Sequence, residues 1–206
     1  LMLSSGGLTH VGEIRRSPVQ MLESGPAAGA LAAADIGRAE GLEHVLAFDM
    51  GGTTAKLCLI DGNEPAIAYR FEAARERRFA EGSGLPIRIS TVELIEIGAG
   101  GGSIAFINDA GMVQVGPRSA GAVPGPICYG KGGEEPTITD ANLVLGRMNP
   151  DALLAVENTV SMQKLHQRLV DTIGAPLGLD ADAAAAAILQ IGNDRMAGAI
   201  RMVSLS

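Results

Sequence analysis

Along the chain the spacing of apolar positions changes character three times. "SGPAAGALAAADIGRAEG" (24–41) is rich in small residues, with Ser24 as a candidate cap, Pro26 near a first turn and Gly41 as a stop. This pattern predicts a helix over 25–40, narrow enough to pack closely on a sheet. "HVLAFDM" and "AKLCLI" are compact apolar runs, predicting a buried strand over 45–50 and a partner strand over 55–60. "DGNE" (61–64) signals a turn before a third strand over 66–71. Partial alternation over 87–97, then short runs at 104–107 and 112–115, predict further strands. The last third has helical spacing, with Thr139, Ser161 and Asp180 as caps and Gly174 as a stop. There Ile188, Ile191, Arg195, Ala199 and Met202 fall near one helix face. Residues 1–22 read as loop and edge structure, and 72–86 as a charged, then Gly-rich surface excursion. The sum is an α/β or α+β layer fold.

Composition narrows the class. The chain has 206 residues, 47% hydrophobic and 19% charged, with a net charge of −7. That is a globular balance with ample core. No Lys/Arg cluster is dense enough to track a phosphate backbone, so nucleic acid is not an expected partner. The run Arg75–Arg78 is flanked by Glu72 and Glu81 and reads as a solvated face. No apolar stretch suits a membrane span and no signal-peptide pattern opens the chain. Cys58 and Cys128, with no CxxC spacing, suggest reduced thiols and a cytoplasmic protein. His10, His44 and His166 have no metal-ligand spacing.

Glycine is the outlier: 28 residues, clustered in the 50s, at 98–102 and at 111–133. Clustered glycine beside strand-like runs marks turns or close backbone approach. Three phosphate-binding designs can be compared with "FDMGGTTAKL". A P-loop needs its lysine to open a helix, but "KLCLI" continues as a strand. A dinucleotide fingerprint fails at "GAGGGS", where Ser103 stands in the third glycine position and a strand follows. The third design is a strand–turn–strand hairpin with an acid before the turn. Asp49, Gly51, Gly52, Thr53, Thr54 and Lys56 stand in that order. The glycine backbone and threonine hydroxyls would hold phosphate, and Asp49 would hold Mg²⁺. A plain tight hairpin with Asp and Gly as turn formers remains the alternative.

"ESGPAAGALAAADIGRAEG…HVLAFDMGGTTAKLCLI" resembles the second half of an actin-like ATPase, in which an Ala-rich connecting helix precedes a phosphate hairpin. "FDMGGTTAKL", "IEIGAGGGSIAFI", "GPRSAGAVPGPICYGKGGEEPTITDANLVLGRM" and "MAGAIRMVS" together resemble the hydantoinase A/5-oxoprolinase family across residues 1–206. The resemblance implies an α/β, actin-like (ribonuclease H-like) domain with a mixed sheet and flanking helices. Its expected parts are 24–115 (connecting helix and phosphate-hairpin sheet), 116–136 (Gly/Pro loop) and 137–206 (helical). It implies ATP and Mg²⁺ as cofactors and opening of a cyclic amide, a hydantoin or 5-oxoproline, by phosphoryl activation. It also implies a hydantoinase B-type partner subunit or domain. A subunit of an acetone- or acetophenone-type carboxylase, or a non-catalytic actin-like nucleotide module, are the alternatives.

In this reading Gly51, Gly52, Thr53, Thr54 and Lys56 bind phosphate, with the Lys56 direction open, and Asp49 is catalytic and metal-binding. Gly100, Gly101 and Gly102 form a second cradle, or else a place where two backbones pack closely. Glu93 and Glu96 read as a salt-bridged face more readily than as cation ligands. The superfamily's glutamate directly before the helix proline is missing: Gly25 stands there, with Glu23 two residues earlier. One phosphate hairpin and no adenosine loop imply a fragment carrying about half of a nucleotide site, inactive alone. The 116–136 loop would line the substrate or a subunit surface, or serve as a rigid crossover. Cys128 lacks a neighbouring base and Asp140 reads as a helix-start residue.

Overall fold

The computed structural model describes every residue except 74–83, 154–155, 157–159 and 205–206. The chain forms two compact units: residues 1–49 with 56–96, and residues 50–55 with 97–206.

The first unit opens, as expected, with loop and an isolated Met2–Leu8 bridge, but a short helix that was not expected follows, α1 (Val11–Arg16), capped by the His10 ring. A 3₁₀ turn (Pro18–Met21) leads into α2 (Ser24–Glu40). Ser24 is the first helical residue rather than the cap. The capping position is Glu23, in the left-handed region at φ 62°, and its side chain makes no capping bond. Gly41 ends the helix at φ 69°, as its sequence position suggests. The buried face is Ala27, Ala30, Ala34 and Gly37, a spacing of three to four residues. Small residues there let the strand approach: a methyl on Gly37 would lie 2.7 Å from Val45 Cγ2.

The strands of this unit are β1 (His44–Met50), β2 (Ala55–Asp61), β3 (Glu64–Pro65), β4 (Ile67–Ala68), β5 (Phe71–Ala73), β6 (Leu85–Ile87), β7 (Thr91–Val92) and β8 (Ile95–Ile97). β1, β2 and β3 lie in that order, and β8 also pairs with β2. The pairs β2–β3, β4–β7 and β5–β6 are antiparallel. Gly62 and Asn63 both have positive φ, the requirement of a two-residue hairpin whose twist matches its strands. The expected third strand over 66–71 is broken into β4 and the start of β5, because the two pair with different partners, β7 and β6. β1 is not buried throughout as expected: Leu46 and Phe48 are exposed. The unit's core joins Ala27, Ala30 and Ala34 to Cys58, Ile60 and Val92. The predicted Arg75–Arg78 face lies outside the described residues.

In the second unit, β9 (Ser103–Ile107) and β10 (Val113–Ser119) form an antiparallel pair with an irregularity between Val115 and Ser119. A single 3₁₀ turn, Ile127–Tyr129, interrupts the Gly/Pro loop. The helices are α3 (Ile138–Val144), α4 (Met162–Leu169), α5 (Ala175–Leu177) and α6 (Ala181–Ser204). Ser161 and Asp180 cap as predicted, accepting from Lys164 N–H and Ala183 N–H. The cap of α3 is Thr137, not Thr139. Gly174 does not stop its helix: a π turn over Val170–Gly174 carries the chain into α5, and Gly178 ends it at φ 68°. Leu165, Leu169, Ile173 and Ile188 are fully buried and anchor the core. No single helix among the described residues is long and apolar enough to cross a membrane.

Candidate phosphate-binding turn

The turn at 51–54 is closed by Gly51 N–H donating to Thr54 O at 2.9 Å. The 100–102 loop lies against it. Gly101 N–H donates to Gly51 O at 2.9 Å and Gly102 N–H to Gly52 O at 2.6 Å. Side chains are excluded from this contact: a Cβ on Gly100 would sit 2.7 Å from the Thr53 carbonyl carbon. The loop is itself pinned. Gly100 N–H donates to Ser103 Oγ, Gly101 O accepts from Thr139 N–H and Oγ1, and Gly102 O accepts from Ala120 N–H.

These bonds fix where the turn's own amides point. In a trans peptide the carbonyl and the following N–H lie on opposite sides. The carbonyls of Gly51 and Gly52 face the 100–102 loop, so the N–H groups of Gly52 and Thr53 face away from it. Neither has a hydrogen-bond acceptor among the described residues, and Gly51, Gly52 and Thr53 are exposed. Two successive outward amides are the backbone feature on which anion-binding concavities are built. By contrast, the amides of Gly100, Gly101 and Gly102 all have protein acceptors, which makes that loop a support for the turn.

In the first unit, Asp49 is exposed, and its carboxylate has no partner among the described residues. Lys56 is directed inward: its ammonium lies 3.0 Å from Glu23 and 3.8 Å from Glu96. Glu96 is thus ion-paired, as the salt-bridged reading expects. Asp49 and Lys56 line a cavity of about 190 Å³ with Pro26, Gly29, Ala33 and Phe48. Among the described residues no group of three His, Cys, Asp or Glu could hold a metal ion.

Sequence reading undervalues Asp140. Its buried carboxylate accepts from Thr137 N–H and Oγ1, closing a capping box with the Thr137 hydroxyl. It also accepts from Ile127 N–H at 3.2 Å and Cys128 N–H at 2.8 Å, clamping the Gly/Pro loop. The S/T-x-x-D spacing of Thr137 and Asp140 was the available signal for the box, and nothing in the sequence reveals the loop contacts. Burial, reinforced by the Asp140 charge, pushes the Cys128 thiol up, so this cysteine is a poor nucleophile. His44 pairs with Asp61 and His166 binds Met162 O, neither in a metal arrangement.

The sequence profile of the hydantoinase/oxoprolinase family matches residues 1–206. The chain belongs to that family. Among its relatives, the caprolactamase subunit alpha of Pseudomonas jessenii is 39% identical over 202 residues, covering 98% of this chain and 28% of the relative. The acetophenone carboxylase gamma subunit of Aromatoleum aromaticum is 34% identical over 200 residues, covering 96% and 26%. A nucleotide-free structure of acetone carboxylase, an enzyme of ATP-dependent acetone carboxylation, superposes with a TM-score of 0.75 at 26% identity, covering 98% of this chain and 27% of that one. The crystal structure of the P. jessenii ATP-dependent caprolactamase gives 0.70 at 37%, covering 90% and 26%. The chain therefore spans under a third of the length of these relatives, and its α/β architecture is that of a region of ATP-dependent enzymes in this family.

Proposed function

We propose that this chain supplies a phosphate-binding hairpin to an enzyme that opens a cyclic amide with ATP, the hairpin forming half of an actin-like nucleotide site. The observation that supports this reading best is the outward pair of amides at Gly52 and Thr53, held by the loop behind them. Such preorganised donors stabilise phosphate charge without reorganising during the reaction. The Thr53 and Thr54 hydroxyls add donors beside them. Gly100, Gly101 and Gly102 serve the site from behind by fixing the turn.

Asp49 fits the role of a Mg²⁺ ligand, since this ion usually takes one or two carboxylates and completes its shell with phosphate and water oxygens. Bound there, Mg²⁺ would neutralise phosphate charge. Lys56, shared between Glu23 and Glu96, adds a held positive charge to the cavity that Asp49 lines. An amide resists water because resonance deactivates its carbonyl. Transfer of the γ-phosphoryl group to the amide oxygen releases ADP and removes that protection. Water then adds to the activated carbon, and the ring C–N bond breaks with nitrogen leaving as an amine. The resulting acyl phosphate is hydrolysed to the open acid and phosphate. The expected partner is a hydantoinase B-type subunit or domain.

The test is ATP hydrolysis by the full-length protein with its partner subunit, offered hydantoin, 5-oxoproline, caprolactam, or a ketone with bicarbonate. Hydrolysis dependent on a cyclic amide supports the proposal. The likeness to acetone carboxylase favours a second reading, a carboxylase subunit, which activity only with ketone and bicarbonate would establish. Hydrolysis indifferent to every substrate would point to a non-catalytic nucleotide module.

A further inference from the structure

Helix α2 starts from an unusual residue. A helix cap normally sits in the extended region and offers its side chain to the first free amides. Glu23 does neither: its backbone is left-handed at φ 62° and ψ 16°, and its side chain makes no capping bond. Its carbonyl alone serves the helix, accepting from Ala27 N–H at 3.0 Å. Of the two described non-glycine residues at positive φ, Asn63 is of a type that visits that region readily, and Glu23 is not.

Such strain persists where the surroundings over-determine it. Ser4 is fully buried; its N–H donates to Gln20 O at 2.8 Å, and its hydroxyl lies against the carbonyls of Gln20 and Leu22. Ser4 O accepts from Val92 N–H at 2.8 Å, in the core of the unit. The chain just before Glu23 is therefore tied to β7.

From that backbone the Glu23 carboxylate reaches the Lys56 ammonium at 3.0 Å, with the two side chains 21% and 16% exposed. A pair this sheltered is screened less than a surface pair. Glu96 lies farther from the ammonium, at 3.8 Å, and is 55% exposed. Lys56 lines the same cavity as Asp49. It also stands two residues beyond Thr54, within about 7 Å of it by chain length alone. A lysine ammonium rides on a flexible stem, and a charge that is not held must reorganise during a reaction.

We propose that Glu23 is a positioning residue: its strained backbone and its carboxylate together fix the Lys56 ammonium in the cavity that Asp49 lines. The inference rests on the nucleotide site proposed above and names the residue that preorganises its lysine.

The test is ATP hydrolysis by the full-length protein with its partner subunit, with urea midpoints measured alongside. Glu23→Gln keeps the shape and removes the charge. It should lower kcat at least about tenfold and move the KM for ATP less than about twofold, the split expected of an interaction that matters in the transition state. Glu23→Gly also lacks the carboxylate but suits the left-handed backbone. It should unfold at a higher urea concentration than Glu23→Gln and be no more active. In a Lys56→Met background, Glu23→Gln should cause no further loss, because its effect passes through the lysine.

Full kcat in Glu23→Gln overturns the inference, as does a loss that falls on KM for ATP instead. Activity that recovers in Glu23→Gly together with stability also overturns it, since a merely structural role would behave that way. So does an undiminished effect of Glu23→Gln beside Lys56→Met. ATP hydrolysis that no cyclic amide stimulates, yet that responds to these substitutions as expected, sinks the amide-opening reading and leaves the Glu23 assignment standing. Intact protein that hydrolyses no ATP under any condition overturns both.

Discussion

Asp140 carries more of this structure than any other single polar residue described. Removing its carboxylate strands the buried amides of Ile127, Cys128 and Thr137. Asp140→Ala should therefore cost roughly 3–5 kcal/mol, read as a drop in the urea midpoint. Cys58 gives a pH dependence. Burial first, and the Glu93 charge second, push its thiol from 9.0 to about 11. The folded state prefers the neutral thiol, so its contribution is whole below pH 9.0 and fades as pH rises toward about 11. The urea midpoint should fall across that window, and Cys58→Ala should flatten the fall. At Asp49 the prediction concerns chemistry alone. The side chain is exposed and unpartnered among the described residues, so Asp49→Ala in the full-length protein should keep its fold by circular dichroism. ATP turnover should drop at least about 10²-fold, the scale of losing one preorganised electrostatic group.

At the scale of elements, the contact between the 51–54 turn and the 100–102 loop holds the proposed phosphate-binding turn in place. Gly100→Ala puts a methyl 2.7–2.8 Å from three backbone atoms of the turn, none of which can rotate away. The turn must shift, and a displacement near 1 Å costs about 10² in turnover when positioning is the catalyst's main work. ATP hydrolysis by the full-length protein should fall by that order in protein that circular dichroism shows to be folded. The helix stops make a related point. Gly174 was expected to end a helix, but its place is set by close passage: a Cβ there would lie 2.5 Å from Leu179 O. Gly178, at φ 68°, is the stop. Both roles call for glycine, and one sequence cannot tell them apart. Gly178→Ala should cost about 1 kcal/mol, the usual penalty for a side chain in the left-handed region. Gly174→Ala should cost more, because backbone must move.

At the scale of the whole molecule, this chain corresponds to 28% of the caprolactamase subunit alpha, so the catalytic experiments belong to the longer protein. Much of its layout was legible in advance. α2, β1, β2 and the 61–64 turn follow from local rules, as do the caps at Ser161 and Asp180. A small-residue stripe, two apolar runs, a Gly-Asn pair and hydroxyl or carboxylate caps act within a few residues of themselves. The strand–turn–strand around Gly51, Gly52, Thr53 and Thr54 was likewise legible, and its phosphate role belongs to the proposal. Tertiary structure decided the rest. It alone showed that Lys56 turns to Glu23 and Glu96, that the amides of 100–102 are spent on Gly51, Gly52 and Ser103, and that Asp140 reaches back to Ile127. It also broke the expected third strand, whose pieces follow partners far along the chain. The physical reason is range: caps, turns and periodicity are set by neighbours in sequence. The direction of an amide or an ammonium is set by whichever group folding brings opposite it.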